Sequence, residues 1–498
     1  MENIKNAKSN LNELKTMFSK DETVTFREIC CKKDPSICFC IAFVNGMIDK
    51  NSIHNQIIKP IIEADLNDTL DINQLLNTIS KEVISAASVS QSSDLQKIIK
   101  DLLSGNTVLF VKEFDNAVVI DTSDWDKRPI SEPDSEKTVT GPREGFTENI
   151  GSNITLLRRK LKTPNLKLEF MELGTETKTK ICICYLESIV DTKLVEEVNK
   201  RMKKIDIDGV IDSQYIQEMI KDTPSTPFRT TGFTERPDIV AGKLLEGRVG
   251  IICDGTPSVI TVPFTFVEYF NVNEDYYSNF YYATINRIIR WIGFFLASSV
   301  PAIYVALITF HQEMLPTQFL LSISASRQDV PFPTIFEAIL MLFIFEVLRE
   351  TSIRMPTVIG QTISIVGALV IGQAAVEAKL ISAPMIIVAA LTGITSFIVP
   401  KMQGELILIR IIFLMSASFI GLYGYLFGVI GMFIHLASLR SFGIPYMINL
   451  GSLSLADLKD NIIRVPWQKM KTRPKLITQK NRIRNADGKG TGDKVENK

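Results

Sequence analysis

The sequence predicts a cytoplasmic α/β region of two small domains followed by an all-α integral membrane bundle. Three observations predict it. Strand-like and helix-like runs alternate from residue 23 to about residue 270. Apolar residues then crowd into 291–439, in uncharged runs that no soluble domain needs at such density. The opening stretch, MENIKNAKSNLNELKTMFSK, is polar and has no apolar core, so the N-terminal part is expected in the cytoplasm. The 498 residues suffice for two or three domains, and 55 Lys plus Arg balance 55 Asp plus Glu. That balance points to neither nucleic acid nor an acidic ligand.

The first domain is expected over 1–125. TVTFREICC and SICFCIAFV read as strands, 52–62, 71–84 and 92–104 as helices, and NTVLFVKEF and NAVVIDTS as further strands. Cys30, Cys31, Cys38 and Cys40 cluster here, but CC-x6-C-x-C lacks the paired CxxC knuckles of a structural zinc site. Small buried thiols in strands are the expectation, with no metal and no cofactor. A polar, proline-bearing linker follows at 126–145.

The second domain is expected over 146–285. TENIGSNITLLRRKL makes a helix, LKLEFMEL and TKTKICICYLESI make strands, and DTKLVEEVNKRMKKI makes another helix. RVGIIC and SVITVPF, joined through Asp254-Gly255, read as antiparallel neighbours, since Asp-Gly favours a hairpin turn. No phosphate-binding GxxxxGK[ST], nucleophile-bearing GxSxG or zinc-binding HExxH is present, so no enzyme is expected. Gly141-Pro-Arg-Glu-Gly145, with Arg143 and Glu144, either holds an anion at a helix start or is a linker turn. Thr234-Glu-Arg-Pro-Asp is either functional through Glu235, Arg236 and Asp238 or plain helix-start chemistry around Pro237.

The membrane domain is expected over 286–440. Spans are predicted at 291–310, 357–376, 380–400 and 411–439, the last 29 residues long and glycine-rich. The apolar run 335–348 is short, opens after Pro-x-Pro and carries glutamates, so a re-entrant or protein-shielded segment is expected. Arg287 and Arg290 ahead of the first span favour a cytoplasmic N-terminal side. From 464 onward eleven Lys or Arg face three acidic residues, a net of +8, so 441–498 is expected as a basic cytoplasmic tail. Four crossings satisfy both ends and leave Arg349 and Arg354 on the far side.

Charged groups inside apolar runs are costly and tend to have a role. Glu337 and Glu346 are nine residues apart, about 180° around a helix, so they do not face one lumen. Glu346 and Glu350 share a face with Arg349 and Arg354, within reach of ion pairing. Thr362, Val366, Val370, Gln373 and Glu377 form a single helical stripe, apolar in the middle and closed by a carboxylate. Repeated around a ring, that stripe makes a hydrophobic constriction with an acidic mouth. Alternatively it is a packing face.

Several long motifs occur in order: GPREGFTENIGSNITLLRRKL (141–161), TERPDIVAGKLLEGRVGIICDGTPSVITVPFTFVEYF (234–270), EDYY (274–277), VPFPTIFEAILMLFIFEVLRE (330–350) and IVGALVIGQAAVEAKLISAPMIIVAALTGI (365–394). Across 141–450 the chain resembles the A subunit of GerA-type spore germinant receptors, with Arg143, Glu144, Glu235, Arg236, Asp238 and Asp254 the charged motif positions. The resemblance implies an inner-membrane receptor of dormant spores that senses small nutrients. It further implies a transporter-like B subunit that holds the nutrient, a lipoprotein C subunit, and self-association into a ring that passes monovalent cations. A secondary transporter and a membrane-anchored signalling scaffold are the competing classes. Against the transporter, the spans show no internal repeat.

Overall fold

The computed structural model describes residues 10–33, 37–64, 77–86, 88–111, 116–122, 133, 136–355, 367, 370–447, 460–474, 477–478, 481 and 483–484. Two antiparallel sheets dominate the first half. One contains β1 (Val24–Cys30), β2 (Cys38–Val44), β3 (Val89–Ser92), β4 (Thr107–Val111) and β5 (Ala117–Ile120), in the order β1-β2-β4-β5-β3. The other contains β6 (Leu166–Leu173), β7 (Thr179–Leu186), β8 (Gly232–Thr234), β9 (Val249–Cys253) and β10 (Val259–Val262). Its order, β6-β7-β9-β10-β8, is the same permutation.

Helices cover both faces of each sheet, which is why the strands read as near-continuous apolar runs. On the first sheet α1 (Asn10–Met17) and α2 (Leu95–Leu102) pack Leu14, Ile98 and Leu102 against Ala42, Val44 and Phe110. Helical turns at Lys50–Ser52, Ile53–Ile58 and Lys59–Glu63 bring Ile53, Ile57 and Ile61 to the opposite face. On the second sheet α3 (Ile150–Lys160) and α6 (Pro237–Leu245) take one face, through Ile154, Leu157, Val240 and Leu244. There α4 (Thr192–Met202) and α5 (Ser213–Met219) take the other, through Leu194, Val198, Met202 and Ile216. Along β7 the alternation sorts Ile181 and Ile183 to one core and Cys182 and Cys184 to the other.

The expectation of free thiols throughout holds for Cys31, Cys40, Cys182, Cys184 and Cys253, all buried. It fails for Cys30 and Cys38, which form a disulfide. The β1–β2 register sets these two directly opposite each other, a relation that spacing alone does not show. The Asp254-Gly255 turn joins β9 to β10 in antiparallel register, with Gly255 at φ +85°, where a side chain would be strained. The two units meet through a fully buried pair, Arg158 Nη2 to Asp21 Oδ2 at 2.5 Å, with Thr23 Oγ1 accepting from the same nitrogen at 2.9 Å.

The C-terminal part is helical. Its elements are α7 (Phe280–Phe310), α8 (Thr317–Arg327), α9 (Thr334–Arg354), α10 (Ala383–Ser396), α11 (Gln403–Ile420) and α12 (Leu422–Ser438). Among the described residues two stretches, Phe280–Phe310 and Pro400–Ile420, are long and apolar enough to cross a membrane, with mean hydropathy 1.9 and 1.6. Contacts at the ends give four of these helices a direction. Both α7 and α11 start beside the α/β region and finish together, where Gly421 lies against His311. From there α12 returns, its His435 Nε2 3.0 Å from Thr226 Oγ1. On α9, Glu337 neighbours Ser382 at the far end, while Glu346 reaches Arg410 in the first half of α11, so α9 also runs back towards the α/β region.

One expectation changes here and two runs acquire their bounds. The run 411–439 is not one span: Gly421 at φ +67° and ψ −139° turns the chain, and α11 and α12 pack as a hairpin. Composition shows glycines but not which one adopts a left-handed backbone. The run 380–400 is helical over the 14 residues of α10, about 21 Å at 1.5 Å per residue. Residues 335–348, expected as re-entrant or protein-shielded, are the middle of the continuous 21-residue α9, and their glutamates pair with Arg327 and Arg410 outside the segment.

Candidate functional site

The second α/β unit, the 271–277 segment ahead of α7, Lys401 and the C-terminal segment line a cavity of about 270 Å³, with Asp238, Lys243, Arg248, Glu268 and Tyr277 among its charged and polar residues. Its first wall is the start of α6. Arg236 occupies the cap position in extended conformation and Pro237 opens the helix. The guanidinium of Arg236 is only 1% exposed. It donates to Asp238 at 3.0 and 3.1 Å, to Thr138 Oγ1 at 2.7 Å and to the Pro142 carbonyl at 2.7 Å. Asp238 also accepts from Asn273 Nδ2 and from the Tyr277 hydroxyl, each at 2.7 Å. Burial pushes the Asp238 carboxyl up, but Arg236 and Tyr277 outweigh it and hold the group below the usual carboxylate range.

Beneath this lies Glu268, a lone carboxylate in an aromatic run. It accepts from the Thr265 amide at 2.8 Å and pairs with Arg248 at 2.5 Å and with Lys243. Burial raises its pKa, and the Arg248 and Lys243 charges pull the other way, bringing it to about 2. Towards the helices, Asp275 takes both Arg287 Nε and Arg290 Nη1 at 2.8 Å. Asp460 accepts from Arg287 Nη1 at 2.9 Å and from the Tyr276 hydroxyl at 2.6 Å.

The tail is therefore more than a basic extension. From Asp460 to Arg484 its described residues strap the end of α6 to the start of α7. Arg464 O accepts from Thr284 Oγ1 on α7, while Arg473 Nε and Thr478 Oγ1 donate to the Leu245 and Glu246 carbonyls closing α6.

The other motif charges have local tasks. Asp254 accepts from the Ile150 amide at 3.0 Å and so caps α3. Glu144 pairs with Lys160 at 3.1 Å and Arg159 at 3.4 Å, and Arg143 is exposed. Phe146 N donates to the Glu235 carbonyl at 2.7 Å.

Among the helices, Glu337 is fully buried. It accepts from the Ser382 amide at 2.9 Å and hydroxyl at 2.7 Å, and lies 3.3 Å from Arg327. Glu346 pairs with Arg349 at 2.7 Å and with Arg410 of α11 at 3.3 Å. Glu350 pairs with Arg354 at 2.6 Å on an exposed face. The structure thus divides the five charges into three separate pairings. Of the stripe, Val370, Gln373 and Glu377 lie on a helical stretch over 370–377 and are exposed; Thr362 and Val366 fall outside the described residues. Sequence reasoning missed Arg410, Glu268, Asp275 and Asp460. Arg410 immediately precedes an uncharged run and passes for a span boundary, and Glu268 hides among aromatics.

Two α/β units on one plan, the second tied by buried ion pairs to a helical part in which two stretches are long and apolar enough to cross a membrane, make up the described chain. Residues 12–476 match the family described as Bacillus/Clostridium GerA spore germination protein. The chain is 42% identical over 478 residues to spore germination protein KA of Bacillus subtilis (strain 168), covering 95% of this chain and 87% of that one. It is 32% identical over 472 residues to spore germination protein GerLA of Bacillus cereus, covering 94% and 95%. A solved structure, the N-terminal domain of the A subunit of the Bacillus megaterium spore germinant receptor GerK3, is 31% identical. It covers 52% of this chain and 94% of its own, with a TM-score of 0.40. The chain belongs to the GerA spore germination family, as the motifs between 141 and 450 indicate.

Proposed function

We propose that the chain is the A subunit of a nutrient receptor of the spore inner membrane, associating into a ring that passes monovalent cations when germination is triggered. A transporter-like B subunit holds the nutrient, and a lipoprotein C subunit completes the receptor. The observation that carries this reading is the helix over 370–377, which presents Val370, Gln373 and Glu377 outward. A lumen shared between copies accommodates such a face, with a valine constriction and a carboxylate mouth that favours cations. Nutrient opens the ring only by binding the open state more tightly than the closed one.

In this reading the chain crosses the membrane six times, through α7, α9, the 357–376 run, α10, α11 and α12. The directions of α7, α9, α11 and α12 support six passes, in place of four and a re-entrant or protein-shielded segment. Six passes return both ends of the chain to one side, in keeping with the strap between α6 and α7, and in this reading that side is the cytoplasm. They also put Arg349 and Arg354 on the cytoplasmic side, in keeping with the distribution of positive charge in membrane proteins.

The test is nutrient-evoked ion flux from vesicles holding the chain with its partner subunits. Val366→Ala or Val370→Ala is expected to raise the resting leak, and Glu377→Gln to lower cation over anion preference several-fold. Flux indifferent to all three positions sinks the stripe as the conduit.

A further inference from the structure

Pro301 sits in the interior of α7. Having no N–H, it leaves the carbonyl four residues earlier, that of Ala297, without its helical partner. Arg410 of α11 supplies one: its Nε donates to Ala297 O at 2.9 Å. The same guanidinium, 3% exposed, pairs through Nη1 with Glu346 of α9. Glu346 is held in turn by Arg349. One side chain therefore fastens the proline break of α7 to two other helices.

Five residues earlier on α11 stands Glu405, itself 4% exposed. It accepts from the Tyr269 hydroxyl at 2.8 Å and lies 3.5 Å from Arg229 Nε. Tyr269 follows the last strand of the second sheet, and its oxygen also accepts from the Arg229 amide at 2.9 Å. Tyr446 donates to the Arg229 carbonyl at 2.7 Å. So α11 is gripped by the α/β region at Glu405 and grips α7 at Arg410. Five residues on a helix rise about 7.5 Å and turn about 140°. The two grips consequently face different neighbours, and the body of the helix joins them.

We infer that Arg410 is a positioning residue that clamps the proline break of α7, and that α11 carries displacement of the α/β region from Glu405 to that clamp. A proline in a helix is a preferred site of bending. A hydrogen bond weakens steeply with small changes of distance and angle, so a slight shift of α11 frees the Ala297 carbonyl and lets α7 bend. The inference concerns the mechanics of the fold and holds whether or not the chain conducts ions.

Hydrogen exchange on the full chain in lipid nanodiscs tests it. Arg410→Gln is expected to speed exchange across 296–305 about tenfold while the sheet β6–β10 keeps its protection. Glu405→Gln, at a side chain whose polar partners are Tyr269 and Arg229, is expected to speed the same segment about threefold. Unchanged exchange at 296–305 in Arg410→Gln overturns the clamp. An effect of Glu405→Gln confined to 266–270 and 403–407 overturns the transmission. If Arg410→Gln loosens the whole molecule, Arg410→Lys decides, because one ammonium cannot reproduce the fork to Ala297 and Glu346. Selective loosening of 296–305 in the lysine variant upholds the clamp; wild-type protection, or loss everywhere, refutes it.

Discussion

The two α/β units repeat one strand order and one distribution of helices over the faces, yet they differ at a corresponding place. Both have a helix entering directly after the third strand of the set. In the first unit α2 is capped by Asp94, whose side chain accepts from the Gln96 amide. In the second, α6 begins at Arg236, which caps nothing through its side chain and instead gathers Asp238, Thr138 and the Pro142 carbonyl. A shared scaffold thus serves two ends. The first unit closes its helix start locally; the second uses that position to fasten the linker and the approach to α7. The difference marks which unit communicates with the apolar helices.

That contrast can be broken by mutation. Arg236→Ala leaves Asp238 buried without its guanidinium and is expected to cost about 3–5 kcal/mol, measured by denaturant unfolding of the full chain in detergent. Next in size, Glu268→Gln is expected to cost about 1.5–3 kcal/mol at neutral pH, because Arg248 and Lys243 lose their counter-charge. The acid side sharpens this point. Glu268 moves from an ordinary 4.5 to about 2 on folding, so its contribution is complete above pH 4.5 and drains away as pH falls towards 2. Glu268→Gln should flatten that part of the stability profile. Asp94→Ala is the smallest, about 1 kcal/mol, and should leave exchange in the second unit untouched. If Asp94→Ala costs as much as Arg236→Ala, the two helix starts are equivalent and the contrast falls.

Much of the α/β region is legible in sequence, for physical reasons. Apolar runs such as ICICYL and VGIIC bury both faces of a strand, and Asp254-Gly255 forces a turn between neighbours. The duplication is not legible, since it resides in strand order, which depends on pairings far apart in the chain. The helical part hides more. An uncharged run of 29 residues satisfies any length criterion, and only the backbone angles of Gly421 cut it in two. Glu337 looks anomalous until Ser382, 45 residues later, brings an amide and a hydroxyl to it. Of the candidate site, Arg236 and Asp238 stand out by their motif. Glu268, Arg410 and Asp460 acquire meaning only from partners that folding delivers.

The strap from Asp460 to Arg484 has a consequence for biogenesis. It follows every apolar helix in the sequence, so translation delivers it after those helices have left the ribosome. The α/β units can fold and the helices insert while Arg287 still lacks Asp460 and the last carbonyls of α6 lack Arg473 and Thr478. Fastening the two halves is thereby a late event of assembly, set by the order of synthesis.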